Sequence, residues 1–574
     1  MKFLFVVVSL VGCSVGVKVN PLPAPVDIQW GNSGKVVISE SLKYDGPSEQ
    51  IVQDAFDRAM KTIKDLKWVP AAVEKPPPDY EPYPTGVTDK RGLSNTVKRV
   101  RVNVDSLDTD LQQGVNESYT LSVSADEPYI DITTPNVWGA LHAFTTLQQL
   151  VLWEDESFII EQPVEIRDEP LYTHRGLLLD SGRNFLSIPA LKRQLDAMAL
   201  CKMNLLHWHL DDSQSWPIEI ESYPEMTKDA YSKRETYSVE DVKDLIKYAK
   251  QRGIRVMPEV DLPGHSAAGW KQVDPEAVVC ADSYWCGETN DQHTAVEAVP
   301  GQLDIMYDGT YTMVENVYND LSKIFEDNLF HVGMDELQTG CYNFSRPTME
   351  WLNDDKSRTY HDLTQQWVDR AMPIFEEPKN RRLMMWEDVV LSEDISVHNI
   401  SNEVVLQSWN EPSHIKTLVQ RGYDVVVSTK DYLYLDTGYG QFFSNDPRYT
   451  TTINPDSRPY KGWQRIYNFD FAANLTEEEH KHILGAEAAL WSEQVDDAVL
   501  DQKAWPRAAA LAELVWSGNR DSNNQKRTTY LTQRLYNFRE YLVANGINAS
   551  PLAPKYCLQH PHECDLYNNQ SIVQ

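Results

Sequence analysis

The sequence predicts an α/β protein: a (β/α)8 TIM barrel preceded by a smaller α+β domain with an antiparallel sheet. Three observations carry that expectation. From His174 onward, eight continuous apolar runs recur, separated by segments able to hold helices. Before them, from Val97, apolar and polar residues alternate. The length, 574 residues, exceeds what one ordinary core encloses and calls for two or more domains.

In chain order, Lys2, the apolar run Phe3 to Val11 and the small residues from Gly12 to Gly16 form a secretory signal peptide over 1–16. The run is too short to anchor in a bilayer. Residues 17–96 form an N-terminal segment. Its stretch KPPPDYEPYP (75–84) is too rich in proline for a core element and reads as an extended linker. The dibasic pair Lys90-Arg91 follows, so a propeptide ending near Arg91 is one expectation and simple surface charge the other. Residues 97–167 form the α+β domain, whose start can lie within 17–96. VKRVRVNV, SYTLSVS and YIDITTP alternate as half-buried strands, and Val137 to Val151 carries apolar residues at helical spacing.

Residues 168–574 hold the barrel and a C-terminal tail. The runs are HRGLLLDSG from His174, NLLHWHLDD from Asn204, GIRVMPEVD from Gly253 and LFHVGMDE from Leu329. RRLMMWED from Arg381, VVLQSWN from Val404, YDVVVSTKDYLYLD from Tyr423 and ILGAEAALWSE from Ile483 complete them. Unbroken apolar runs fit strands buried on both faces, as in a parallel sheet. Between the second and third runs, Ser238-Val-Glu-Asp241 opens a helix with a capping box and Gly253 stops it.

Almost every run ends in polar or aromatic residues: Arg183, Asp212, His265, the Asp335-Glu336 pair, Trp386, Trp409, Asp436, and Trp491 with Glu493. In such a barrel the C-terminal strand ends meet at one mouth, where active sites form. Tryptophan faces stack on sugar rings, and carboxylates and arginine bind hydroxyls and move protons. There is no Gly-rich phosphate loop, no G-x-S-x-G turn and no ligand set of clear metal geometry, so carbohydrate hydrolysis leads. Taken alone, Trp386 and Trp409 read as large core residues. His207 and His209 fall on one strand face, which leaves a metal pair and a hydrogen-bonded structural role both open. Adjacent acids at 335 and 336 would be expensive to bury without a function.

At HVGMDE the chain resembles glycoside hydrolase family 20, the β-N-acetylhexosaminidases, and within it the secreted fungal forms. The likeness runs from about Val97 to the end. It rests on HRGLLLDSGRNF (174–185), HWHLDDSQSW (207–216), PEVDLPGH (258–265), HVGMDE (331–336), YLD (434–436) and AEAALWSE (486–493). Met334 stands where many members carry glycine. The resemblance implies retaining, substrate-assisted hydrolysis of terminal non-reducing N-acetylhexosamine (GlcNAc or GalNAc), through an oxazolinium intermediate. It makes Glu336 the general acid/base and Asp335 the carboxylate that steadies the acetamido group. Tyr434 would donate to the acetamido carbonyl, and Trp386, Trp409 and Trp491 would wall its pocket. Arg183 would bind O3 and O4, Asp436 and Glu493 the O4/O6 side, and Trp463 the next sugar. Asp212 and His265 would form a hydrogen-bond chain to Glu336. The pairing Cys280–Cys341 is likewise implied by resemblance alone. The physical logic agrees: two neighbouring acids cannot reach opposite faces of one anomeric carbon, so a nucleophile inside the substrate solves the problem.

Neither a cofactor nor a metal is expected. The expected partners are N-acetylhexosamine-terminated oligosaccharides, whether glycan ends or chitin oligomers. A homodimer and noncovalent retention of a cleaved propeptide stay open. A formal charge of -32 repels nucleic acid and anionic lipid, so neither is a partner. The signal peptide implies secretion, to the extracellular or cell-wall/periplasmic space. Past Cys13 six cysteines remain, and an even set in a secreted chain points to disulfides. Cys557 and Cys564 bracket a short loop and form the safest local pair, while Cys201 and Cys286 have no assignment. Sequons at Asn116, Asn343, Asn399, Asn474, Asn548 and Asn569 predict glycosylation. Two rivals remain: a non-catalytic sugar-binding barrel, which would lack one of Asp335, Glu336 and Tyr434, and a metal-dependent hydrolase built on His207, His209 and Asp335.

Overall fold

All eight apolar runs are strands of one closed parallel barrel. The structure is a computed structural model and describes residues 20–70, 96–285, 294–375, 381–440, 442, 459–560 and 563–566. The signal peptide, the Pro-rich linker, Lys90-Arg91, Cys286 and Asn569 lie outside these residues.

The smaller domain comes first. Its strands are β1 (Asp27–Trp30), β2 (Val36–Asp45), β3 (Val97–Ser106), β4 (Tyr119–Val123), β5 (Tyr129–Asn136), β6 (Leu152–Glu154), β7 (Ser157–Ile160) and β8 (Val164–Asp168). They form one sheet in the order β1-β8-β4-β5-β3-β2-β7-β6. The domain thus begins well before Val97, and its sheet is mixed where a purely antiparallel one was expected. β2 and β3 pair in parallel because a helix, Gln50–Leu66, lies between them in the chain; β3 and β5 are also parallel. That helix and the helix Val137–Leu150 share one apolar core with the sheet. The second helix is capped by Asn136, whose side chain accepts from the backbone of Trp138 and Gly139.

The barrel strands are β9 (His174–Asp180), β10 (Leu205–His209), β11 (Arg255–Leu262), β14 (Leu329–Gly333), β15 (Arg382–Trp386), β16 (Val405–Ser408), β17 (Asp424–Val427) and β18 (Ile483–Leu490). A short two-stranded ribbon, β12 (Val278–Val279) with β13 (Gln302–Leu303), sits between β11 and β14 in the chain. β18 closes onto β9, pairing Gly485 with His174 through Leu490 with Leu179. The helix after Ser238 carries its capping box, with Asp241 returning the bond, and Gly253 leaves the helical turn at φ +72°.

Side chains alternate in and out along each strand, which stacks the barrel interior in layers. The lowest is apolar: Leu205, Met257, Leu329, Met384, Val405 and Val426. Two residues further along β10, β11, β14, β16 and β18 the inward positions are His207, Glu259, His331, Gln407 and Glu487, all fully buried. Above them Trp386, Trp491, Tyr434 and Trp409 gather at the C-terminal mouth. The sequence His207-Trp208-His209 follows the same rule: both histidines point inward, and Trp208 packs outward in the main core with its indole N–H on Ser181.

Among the described residues two disulfides are formed, Cys280–Cys341 and Cys557–Cys564, while Cys201 is buried and free. The sequon asparagines 116, 343, 399, 474 and 548 are exposed. Among the described residues no helix is long and apolar enough to cross a membrane.

Candidate active site

A cleft of about 550 Å³ opens at the C-terminal mouth of the barrel, lined by Arg183, Val296, Glu297, Asp335, Glu336, Trp386, Trp409, Tyr434, Trp491 and Glu493. Eight of these ten come from the strand-end residues and Tyr434 that the sequence singles out; Val296 and Glu297 do not. Those eight come from six strand ends, of β9, β14, β15, β16, β17 and β18, which holds the group on rigid elements.

Two successive acids face one cleft because the chain kinks after β14. Gly333, Met334 and Glu336 all have left-handed φ, at +69°, +81° and +47°. Met334 therefore occupies a conformation that glycine adopts most easily, which accounts for the glycine common at this position in the resembled family. Gly333 itself has no alternative. A Cβ there would sit 1.8 Å from Oδ1 of Asp261 on the neighbouring strand.

Behind Glu336 stands His265. Its Nε2 is 3.4 Å from Glu336 Oε2 and its Nδ1 is 3.3 Å from Asp212 Oδ1. Asp212 in turn lies 2.9 Å from Nη2 of Arg183 and 3.2 Å from Nε2 of His209. Burial would raise the Asp212 carboxyl, but Arg183 and His265 hold it far below the carboxylate range. Burial would also discharge His265; the charge of Asp212 prevails and keeps it an imidazolium well above the ordinary histidine range. Asp335 is pushed up to about 6 by burial, eased by His265 and reinforced by Glu336.

Arg183 is clamped by three carboxylates: Asp212, Glu297 through Nε at 3.0 Å, and Asp180 through Nη1 at 3.5 Å. Its guanidinium lies 5.1 Å over the Trp491 ring. Glu493 is held well above its usual range, by burial first and by Glu297 next. Asp436 lies beside Glu493, close enough to add to that shift, but does not line the cleft.

The other side of the cleft is aromatic. Trp386 and Trp491 have centroids 5.9 Å apart, Tyr434 and Trp491 6.2 Å, and Trp409 stacks on Tyr434 at 6.4 Å. Tyr434 is drawn in by a bridge to Ala489 of β18. Two acids that the sequence reading passed over fix the indoles: Trp386 Nε1 donates to Glu259 at 2.7 Å and Trp409 Nε1 to Asp388 at 2.7 Å. Burial, then Asp335, raises Asp388 to about 8.

Trp463 is a correction. It opens a short helix, is 4 % exposed and packs in the main core with Ile466 and Tyr467. It does not line the cleft, unlike Trp386, Trp409 and Trp491. His207 and His209 are directed at carboxylates of the barrel interior, not at Asp335. His207 faces Glu487 with Nδ1 at 2.9 Å and Glu259 with Nε2 at 3.0 Å, and His209 faces Glu259 and Asp212. His207, Glu259 and His331 come close enough together to suit a cation; His207 also faces Glu487, His331 Nδ1 accepts from Gly333 N–H, and Glu259 meets the Trp386 indole and His209.

The family profile described as "Glycosyl hydrolase family 20, catalytic domain" matches residues 172–519, and one described as "beta-acetyl hexosaminidase like" matches 21–150. The chain is 53% identical to a beta-hexosaminidase of Emericella nidulans over 99% of each chain. It is 51% identical to beta-hexosaminidase 1 of Coccidioides posadasii over 98% of each. Among solved structures, the chitobiase of Flavobacterium johnsoniae superposes with a TM-score of 0.70 at 25% identity, covering 92% of this chain and 74% of that one. A GH20 exo-β-N-acetylglucosaminidase from Vibrio harveyi, solved with N-acetylglucosamine, shares the fold with a TM-score of 0.71 at 22% identity, over 93% and 78% of the two chains.

Proposed function

The chain belongs to glycoside hydrolase family 20 and is a β-hexosaminidase that removes terminal N-acetylhexosamine, and from that premise we propose how its own residues carry the reaction. Glu336 is the general acid that protonates the leaving oxygen, and Asp335 supports the acetamido nitrogen. The observation that carries this reading is the placement of both acids in one tryptophan-walled cleft, with His265 behind them, 3.4 Å from Glu336 and 3.9 Å from Asp335.

A retaining glycosidase with two opposed carboxylates keeps them about 5 Å apart across the sugar. Neighbours in sequence cannot straddle the ring, so the nucleophile is the substrate's own acetamido oxygen. Its attack on the anomeric carbon, assisted by a proton from Glu336, breaks the glycosidic bond and leaves an oxazolinium ring. Asp335 stabilises the positive nitrogen electrostatically. Trp386, Trp409 and Trp491 wall the acetamide, and Tyr434 donates to its oxygen. Glu336, now a carboxylate, takes a proton from the water that opens the ring, and the configuration is retained. Arg183 binds O3 and O4, with Asp436 and Glu493 on the O4/O6 side.

Paired chromogenic β-GlcNAc and β-GalNAc substrates, the matching plain glucoside and an oxazoline-mimicking thiazoline test this. Hydrolysis of the N-acetyl sugars, inertness of the glucoside and inhibition by the thiazoline are expected. Comparable cleavage of the glucoside would overturn it.

We also propose that the protein is secreted, on the strength of its two disulfides and its exposed sequons. Were the chain cut near Arg91, residues before the cut would stay attached through β2, which pairs with both β3 and β7. N-terminal sequencing of the mature protein, with its mass in native and denaturing conditions, checks both points and the homodimer.

A further inference from the structure

The barrel interior holds a ladder of histidines and glutamates that the reaction as written does not use. At its centre is Glu259 on β11, fully buried. Its Oε1 accepts from the Trp386 indole at 2.7 Å and faces His331 Nδ1 at 2.9 Å. Its Oε2 faces His209 Nδ1 at 2.8 Å and His207 Nε2 at 3.0 Å. From His209 the chain continues to Asp212, His265 and Glu336 at 3.2, 3.3 and 3.4 Å. From His207 it descends to Glu487, which also takes His174 and Gln407.

We propose that Glu259 is a positioning residue for catalysis: one carboxylate oxygen holds the Trp386 wall of the acetamido pocket, and the other holds His209, which fixes the Asp212–His265 pair behind Glu336. The proposal rests on the reading of Glu336 and of the acetamido pocket given above. His209 lies between two carboxylates, Glu259 and Asp212, and can donate to both only if each ring nitrogen carries a proton, which is the cation. Burial would discharge His209, and Glu259 and then Asp212 override it. Glu259 itself stays ionised against burial because His331, His209 and His207 surround it. The remaining acids facing the pair are Asp180 from β9, Asp261 on β11, Asp211 after β10 and Asp335 after β14. Removing the Glu259 charge removes the main support for the cation and leaves His209 a neutral ring whose single N–H goes to Asp212 while the other nitrogen faces an amide. The Trp386 indole keeps only an uncharged amide oxygen as acceptor, a weaker partner than the carboxylate.

Glu259→Gln keeps the shape and removes the charge. The thiazoline is expected to bind at least tenfold more weakly, and kcat/KM to fall roughly a hundredfold with both kcat and KM affected. The alkaline limb of kcat/KM should move to lower pH by about one unit, because His209 loses its second proton within the assayed range. Glu259→Asp, which keeps the charge, should restore the limb in part. His209→Gln cuts only one branch, so the limb should move while thiazoline affinity stays within about threefold of the parent. A folded Glu259→Gln enzyme with parental thiazoline affinity and parental pH profile would overturn the proposal. If that variant does not fold, an unmoved limb in His209→Gln overturns it instead. Failure of the thiazoline to inhibit the parent enzyme would instead count against the acetamido mechanism itself.

Discussion

His265 meets Glu336 and no other catalytic acid closely: its Nε2 is 3.4 Å from Glu336 Oε2 and 3.9 Å from Asp335 Oδ2. The two neighbouring carboxylates are thereby made unequal, and one geometry assigns them different work. His265 is raised well above its ordinary range against the cost of burial, chiefly by Asp212. It therefore stays charged through neutral pH, and stability drawn from that charge is present below about pH 6.5 and lost only as pH rises through the elevated value. His265→Ala should lower kcat by roughly ten- to a hundredfold and steepen the fall in activity on the alkaline side; kcat/KM against pH for both proteins measures it.

Asp335 runs the other way. Its folded value, about 6, exceeds that of an exposed aspartate because of burial and Glu336. A carboxyl raised on folding binds its proton more tightly in the native state, so stability is highest below about pH 4 and is lost as pH rises towards 6. Asp335→Asn should accordingly raise the melting temperature at pH 7, leave it unchanged below pH 4, and cut kcat by roughly 10² to 10³. Melting curves at both pH values, beside turnover, decide it.

How far a residue could be read from sequence depended on whether its neighbours are periodic. β9 and β18 announce themselves because strands buried on both faces leave largely apolar runs, and the residues ending those runs reach the cleft as Arg183, Trp491 and Glu493. β1 is four residues with no buried position, and nothing local marks it as a sheet edge. Glu259 and Glu487 sit inside apolar runs, and only the closed barrel shows that both point inward at histidines. Trp463 is implied by the resemblance alone, with no local signal of its own, and the fold packs it in the core. Val296 and Glu297 belong to a segment without repeat, tied to the barrel through long-range contacts that no local pattern encodes.

Glu297 is one such contact. It lines the cleft and holds Nε of Arg183 at 3.0 Å, 114 residues away in the chain. Its carboxyl is raised by burial, Arg183 opposes that, and Asp212 adds to it. Glu297→Gln should free Arg183 to change its orientation, raising KM roughly tenfold while kcat changes less. Initial-rate kinetics with a β-GlcNAc substrate, alongside a 4-deoxy analogue that lacks an Arg183 contact, provides the check: the analogue should be much less sensitive to the substitution.

Gly333 tests the backbone of the acidic corner. It combines φ +69° with an Asp261 oxygen 1.8 Å from where a Cβ would stand. Gly333→Ala should cost about 3 kcal/mol or more and abolish activity, since β14 must shift and carry Asp335 and Glu336 with it. Gly34 offers the control. It has φ +93° but no atom within 4 Å, so Gly34→Ala should cost only about 1–2 kcal/mol and leave turnover intact. Equal effects in thermal unfolding would show that backbone preference, not the close approach, governs both sites.

The Cys280–Cys341 bridge closes a loop with a sequence separation of 61 that contains both Glu297 and the Asp335-Glu336 corner. Chain-entropy arguments place its contribution at about 4 kcal/mol if native geometry is unstrained. Paired replacement, Cys280→Ser with Cys341→Ser, removes the bridge without leaving a lone thiol. It should lower the melting temperature and raise KM more than it lowers kcat. The ribbon of β12 and β13 and the turn after Glu336 would lose their tie, while His265 and Asp212 stay fixed on the barrel. Cys557–Cys564 spans only seven positions at the far end of the chain. Its removal by the same paired replacement should shift stability less and leave KM as it was, so equal effects on KM from the two bridges would refute the link between the first bridge and the cleft.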